Sequence, residues 1–216
     1  MAPANQLPID FAKLVDALHN RNEPPQIVGG WDTAFDPKYD FNEQKRVDKI
    51  IDTMMIFTEE VWPLMVGHLG DKRYSYTIGF DDTTYNYSIG DVCEQIIHNT
   101  LEAGFVRSLN ILKGTNLHVK DFENPELYDD AETLKTWLIT RKDRKLYELQ
   151  IEVLEWIIKR TEELGIPEDK RREFIEQINE DILYLRKEKE PYIKRKFIPY
   201  NEVWTYMKAD DADARH

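Results

Sequence analysis

The 216-residue chain has a single cysteine, Cys93, so no internal disulfide can brace it. No run of apolar residues approaches the ~18 that a membrane-crossing helix needs. Cations are in deficit: 29 Lys and Arg stand against 41 Asp and Glu, a formal net charge of −12. A dedicated nucleic-acid binder needs clustered cations facing phosphates, and an anionic membrane surface also attracts cations. The shortage argues against both. Gly-rich phosphate loops, a dinucleotide fingerprint, a zinc-spaced Cys/His set and a Gly-x-Ser-x-Gly elbow are all missing. Residues Met1–Leu7 show neither the basic start nor the apolar stretch of a secretory signal, and the expected setting is the reducing cytoplasm.

What is present suits a core-forming protein. The hydrophobic fraction is 41% and the aromatic fraction 12%, too high for a disordered polar chain and enough for one domain over 1–216. Charge is uneven along the chain. Residues 1–108 hold 9 Lys and Arg against 17 Asp and Glu; residues 109–216 hold 20 against 24. The second half therefore reads as exposed helices with interleaved ion pairs.

Apolar periodicity predicts an all-α fold. Phe11, Leu14, Val15 and Leu18 mark a first helix over 8–19. Residues 20–41, punctuated by Pro24, Pro25, Gly29, Gly30 and Pro37, read as an irregular connection. Its aromatics, Trp31, Phe35, Tyr39 and Phe41, are expected to pack across the helices. Val47, Ile50, Ile51, Met54 and Phe57 define a helix over 43–57 capped by Asn42. Thr58 is expected to cap a second over 59–69, because Pro63 would be costly deep inside one long helix. Ser88 with Asp91 approximates a capping box for a helix ending before Gly104. Further helices are predicted over 130–140, 143–164 and 167–189, the last two paired as a long αα-hairpin about the Gly165–Pro167 link.

The segment Thr58-Glu59-Glu60-Val61-Trp62-Pro63-Leu64-Met65, continuing to His68-Leu69-Gly70-Asp71, resembles the second helix of a HEAT-type repeat. The resemblance covers residues 42–103, with an insert over 72–87, and no regular period continues after Gly104. It implies a short helix array that binds partners rather than performs chemistry. Within the C-terminal helices of 130–190, Leu134-Lys135-Thr136-Trp137 with Leu149–Trp156 is similar to an uncharacterised family of bacterial helical proteins, which implies no activity.

The most unusual stretch is the insert from Arg73 to Tyr87. Tyr74, Tyr76, Ile78 and Phe80 alternate, as do Tyr85 and Tyr87, which suggests a short hairpin or an extended loop. Tyrosine combines flat apolar area with a hydroxyl, which suits partner contacts. Either the tyrosines roof the helix pair in part, or they form a binding loop. Arg73, Tyr74, Tyr76, Asp81, Asp82, Tyr85 and Tyr87 are accordingly the candidate partner-binding residues.

Other polar residues have plainer readings. Glu94, His98 and Glu102 follow one line on their helix and are expected to form a solvated face, with no metal or other cofactor implied. His19 and His68 sit where a side chain can bond the last helix carbonyls, and His118 lies near no nucleophile motif. Cys93 falls on an apolar face and behaves as a small hydrophobe. The basic runs Arg141–Lys145 and Lys194–Lys196, the latter beside Phe197, Tyr200 and Trp204, are offset by acidic flanks, so nucleic acid is an unfavoured partner. The expected function is a non-enzymatic protein-binding or adaptor module, in one version an immunity or inhibitor protein acting on a basic surface. The competing expectation is a hydrolase using Asp81 or Asp82.

Overall fold

A computed structural model describes residues 9–29, 32–80, 83–112 and 119–192. Pro8, Gly30, Trp31, Asp81, Asp82, Asn116–His118, the Lys194–Lys196 run with its aromatics and the tail to His216 lie outside the described residues. The chain runs α1 (Phe11–Asp16), β1 (Gln26–Gly29), β2 (Asp32–Ala34), α2 (Phe41–Ile56), α3 (Thr58–Met65), β3 (Tyr74–Phe80) and β4 (Thr83–Ser88). It continues through α4 (Ile89–Leu101), α5 (Phe105–Ser108), α6 (Pro125–Tyr128), α7 (Ala131–Thr140), α8 (Leu146–Glu163) and α9 (Glu168–Glu188). The protein is mainly helical. The all-α expectation is corrected, among the described residues, by two antiparallel sheets of two strands each, β1–β2 and β3–β4. Among the described residues no helix is long and apolar enough to cross a membrane.

Local chemistry sets most helix starts. Ser88 Oγ accepts from the Asp91 N–H at 3.2 Å, and Asp91 Oδ2 accepts from the Ser88 N–H at 2.8 Å, a complete capping box for α4. Asp130 accepts from the Thr133 N–H at 2.7 Å and starts α7. Other starts differ from expectation. α1 begins at Phe11, capped by Asp10, and α2 begins at Phe41, capped by Asp40, whose carboxylate accepts from the Asn42 N–H at 2.9 Å.

Thr58 does not cap α3 either. Its hydroxyl donates back to the carbonyls of Met54 and Met55 at 3.1 and 2.8 Å, so it seals the end of α2 while α3 starts a new turn. Pro63 sits inside α3 on its exposed side, where the lost backbone bond is open to water.

The helix α4 is the centre of the fold. It packs against α2, α3, β3, β4 and α8, and ten of its thirteen residues are buried. Burial on nearly every side corrects the expected solvated line: His98 is 3% exposed and Glu102 9%. The His98 Nε2 lies 3.6 Å from Glu94 Oε1, so the two side chains face each other along the helix. Cys93 is fully buried, and burial pushes its thiol up to about 12.

Gly90 lets α4 start against the preceding chain. A Cβ there would stand 2.6 Å from the Leu69 carbonyl oxygen. On the other side of α4, α8 and α9 pair as the expected helical hairpin. Phe174 of α9 meets Phe105 and Phe122 with ring centroids 6.2 and 5.6 Å away. One continuous apolar cluster runs from Val15 through α4 to Leu185.

Candidate functional site in the paired hairpins

The Arg73–Tyr87 insert is a β-hairpin that runs directly into α4, since Ser88 both ends β4 and caps the helix. Tyr76 pairs with Tyr87, Thr77 with Asn86, Ile78 with Tyr85 and Gly79 with Thr84. Tyr74 pairs with Ser88, so β3 spends two residues, Tyr74 and Ser75, where β4 spends one. This bulge changes the face on which Tyr74 lies, because side chains alternate with period two. The expected Tyr74–Tyr76–Ile78 row is therefore broken at its first member.

The two faces have different surroundings. Tyr76 and Tyr87 rest against the helical core, and burial raises the Tyr87 phenol. Tyr76 donates to Asp48 of α2, a half-buried carboxyl that desolvation, with help from nearby Asp52, holds above its ordinary range. The opposite face is polar and covered by the first hairpin. Tyr74 and Thr77 hydroxyls meet at 2.5 Å, and Thr77 donates to Asn86 Oδ1 at 2.7 Å. Asn86 donates to the Pro25 carbonyl at 2.8 Å, and Thr33 of β2 donates to Thr84 of β4 at 2.8 Å. Tyr39 closes the network, 2.8 Å from the Tyr74 hydroxyl and 3.1 Å from Gln44 Oε1. Burial holds the Tyr74 phenol well above its usual range. Gln44 also donates to the outward-facing Thr77 carbonyl at 2.8 Å, occupying an edge position that a neighbouring strand would otherwise take.

At the root of the hairpin, Ser75 is buried and donates to the Leu18 carbonyl at 2.7 Å. Arg73 grips Asp71 at 2.6 Å and reaches Asp16 at 3.3 Å. Its bonds hold the Asp71 carboxyl far below the usual range. Asp71 is also 3.4 Å from His68 Nδ1, which corrects the expectation that His68 bonds helix carbonyls. The structure thus draws Arg73, Tyr74, Tyr76 and Tyr87 into internal contacts and leaves Tyr85, 40% exposed, facing solvent. Asp81 and Asp82 lie outside the described residues.

Exposed apolar side chains gather on and after the first hairpin, with others scattered at Ile56, Ile139 and Leu183. Ile27 and Val28 of β1 are exposed, and Phe35, Tyr39 and Phe41 form a ring cluster with centroids 4.8 to 5.1 Å apart. Tyr39 is buried, whereas Phe41 is 54% and Phe35 38% exposed. Residues 20–41 were expected as an irregular link with aromatics packed across helices; two of the rings face outward, and the link contains a hairpin. The spacing Phe35-x-x-x-Tyr39-x-Phe41 is the signal that could have marked them. Asp36 and Asp40 interleave with these rings on exposed positions.

Elsewhere, a groove of about 400 Å³ between α6 and α7 is lined by Glu126, Glu132, Trp137 and Arg141 among others. Arg141 lies 4.3 Å over the Trp137 ring and bonds Glu152 at 2.6 Å, so its cation is already engaged. Among the described residues no group of three or more His, Cys, Asp or Glu is placed to hold a metal ion. No family model, curated protein or solved structure matches the chain.

Proposed function

We propose that the protein is a non-enzymatic protein-binding module whose contact face is the Phe35–Tyr39–Phe41 cluster with exposed Ile27 and Val28. The reading rests on one observation: two outward rings are mounted on a third, Tyr39, that is buried and hydrogen-bonded to Tyr74 and Gln44. Rings held in place before contact lose little freedom on binding, which is what an anchor residue requires. Asp36 and Asp40 between the rings, and the acidic excess of residues 1–108, favour a partner carrying Lys and Arg. On this reading α2 and α3 serve as a HEAT-like pair that holds the face, and blocking a cationic cleft in an immunity or inhibitor role is one form the activity takes.

The test is titration of the full chain with Lys/Arg-rich peptides and with Glu-rich controls. Basic peptides should bind, and Phe35→Ser with Phe41→Ser should weaken that binding at least ~10-fold, the scale of one anchor residue. Equal binding of both peptide types, or binding indifferent to the double change, overturns the reading.

A further inference from the structure

Beyond α9 the chain turns back on itself. Lys189 adopts φ 57° and ψ 31°, the left-handed region that a non-glycine residue enters only when its surroundings hold it there. Three residues later Tyr192 is received in a prepared seat. Gln150 of α8, 1% exposed, accepts from the Tyr192 N–H and donates to the Tyr192 carbonyl, both at 2.8 Å. The same amide donates to the Thr100 carbonyl of α4 at 2.7 Å, which orients it independently of the strap. The Tyr192 hydroxyl donates to Asp181 Oδ1 at 2.8 Å, and Asp181 is 3% exposed. The ring stacks on Tyr184 at 5.2 Å, and its edge would lie 3.4 Å from a Cβ placed on Gly104.

The contrast with the preceding helix is sharp. Phe174, Ile178, Ile182 and Leu185 fix α9 along its whole length. The strap from Lys189 to Tyr192 leaves Lys189 and Glu190 exposed and concentrates its hold on one residue, Tyr192, through its main chain and its ring. Ordering four residues costs conformational entropy that one docked tyrosine must offset, so this segment belongs to the low-stability end of the fold.

We propose that Lys189–Tyr192 is a releasable strap with Tyr192 as its latch, opening while α8 and α9 stay folded. Opening admits water to Gln150 and Asp181 and exposes the Gly104–Leu154 floor of the seat. Nothing covalent changes; the device is a choice between a docked and an undocked position of one residue.

Amide hydrogen exchange on the full chain tests it. The Tyr192 N–H, bonded to Gln150, should exchange at least ~100-fold faster than the amides of Ile178 to Ile182, with little dependence on urea. Tyr192→Phe removes the bond to Asp181 and should speed that exchange about tenfold while leaving the urea midpoint of the whole protein nearly unmoved. Tyr192→Ala should raise it further and make the chain cleavable by protease next to Lys189. Exchange at Tyr192 that matches the α9 amides in rate and urea dependence overturns the proposal. So does a Tyr192→Phe chain whose global midpoint falls as far as that of a core variant. Either result makes the tyrosine an ordinary part of the core.

Discussion

The two sides of α4 are held together by different chemistry. Towards the N-terminus, the second hairpin is tied by side-chain hydrogen bonds to Thr33 and the Pro25 carbonyl through Thr84 and Asn86, and to Tyr39 and Gln44 through Tyr74 and Thr77. Towards the C-terminus, α8 and α9 meet through an apolar stripe, Leu149, Val153, Leu154 and Ile157 against Phe174, Ile178, Ile182 and Leu185. Apolar contacts are non-directional and forgive small shifts, whereas a polar network holds only one geometry. The helical side is built for strength, and the hairpin side for the exact placement of a few rings.

Substitutions can break this contrast at either end. The largest effect is expected from Phe174→Ala, which empties the space between Phe105 and Phe122 and should cost about 3–5 kcal/mol in urea denaturation. Gly90→Ala follows at about 1–3 kcal/mol, because the new methyl meets the Leu69 backbone rather than a yielding side chain. Asn86→Leu should cost about 1–2 kcal/mol by leaving the Pro25 carbonyl without its donor and the Thr77 hydroxyl with Tyr74 alone. Its exchange signature separates the two sides: protection should fall in β1–β4 and stay unchanged in α8 and α9.

Acid titration sharpens the comparison within the hairpin side. Asp71 is held low by Arg73, so its contribution is present above the unfolded carboxyl value of ~3.9 and is lost as pH falls below it. Arg73 is half exposed, which limits the pair to about 1 kcal/mol. Asp48 runs the other way. Burial raises it, so its ionised form burdens the fold above its native titration point, and that burden lifts as pH falls through it. Urea midpoints between pH 3 and 7 should show a shallower acid decline for Asp71→Asn, and a small rise at pH 7 for Asp48→Asn. The smallest expected effect is that of Phe41→Ser, within about 0.5 kcal/mol, since the ring is on the surface.

What could be read from the sequence was what is decided locally. Ser88 with Asp91, and Asp130 with Thr133, are caps whose donors and acceptors lie within three residues, and both helices start where predicted. The αα-hairpin was visible because its apolar stripe repeats over five turns. The first hairpin was not: Gln26–Gly29 and Asp32–Ala34 are too short to show alternation, and their support comes from Thr84 and Asn86, more than fifty residues away. The bulge at Ser75 has no local signature either, because it is fixed by the Leu18 carbonyl that Ser75 reaches. His98 was misplaced because a polar line on a helix marks water only if one side is left open, and α4 is enclosed by its neighbours. Of the candidate contact residues, Arg73 and Tyr85 are exposed, and Arg73 is engaged with Asp71 and Asp16.

Gln44 carries a consequence for how the protein ages in solution. Its amide occupies the outward carbonyl of Thr77 and so closes one place on the β3 edge where a second chain could add a strand. Hydrolysis of that amide to a carboxylate removes the donor and sets an anion against the carbonyl it had bonded. The change is a single atom at a partly buried position, yet it reopens that place on the edge. Aggregation from stored protein should therefore begin at β3, and Gln44→Glu should reproduce it from the first day.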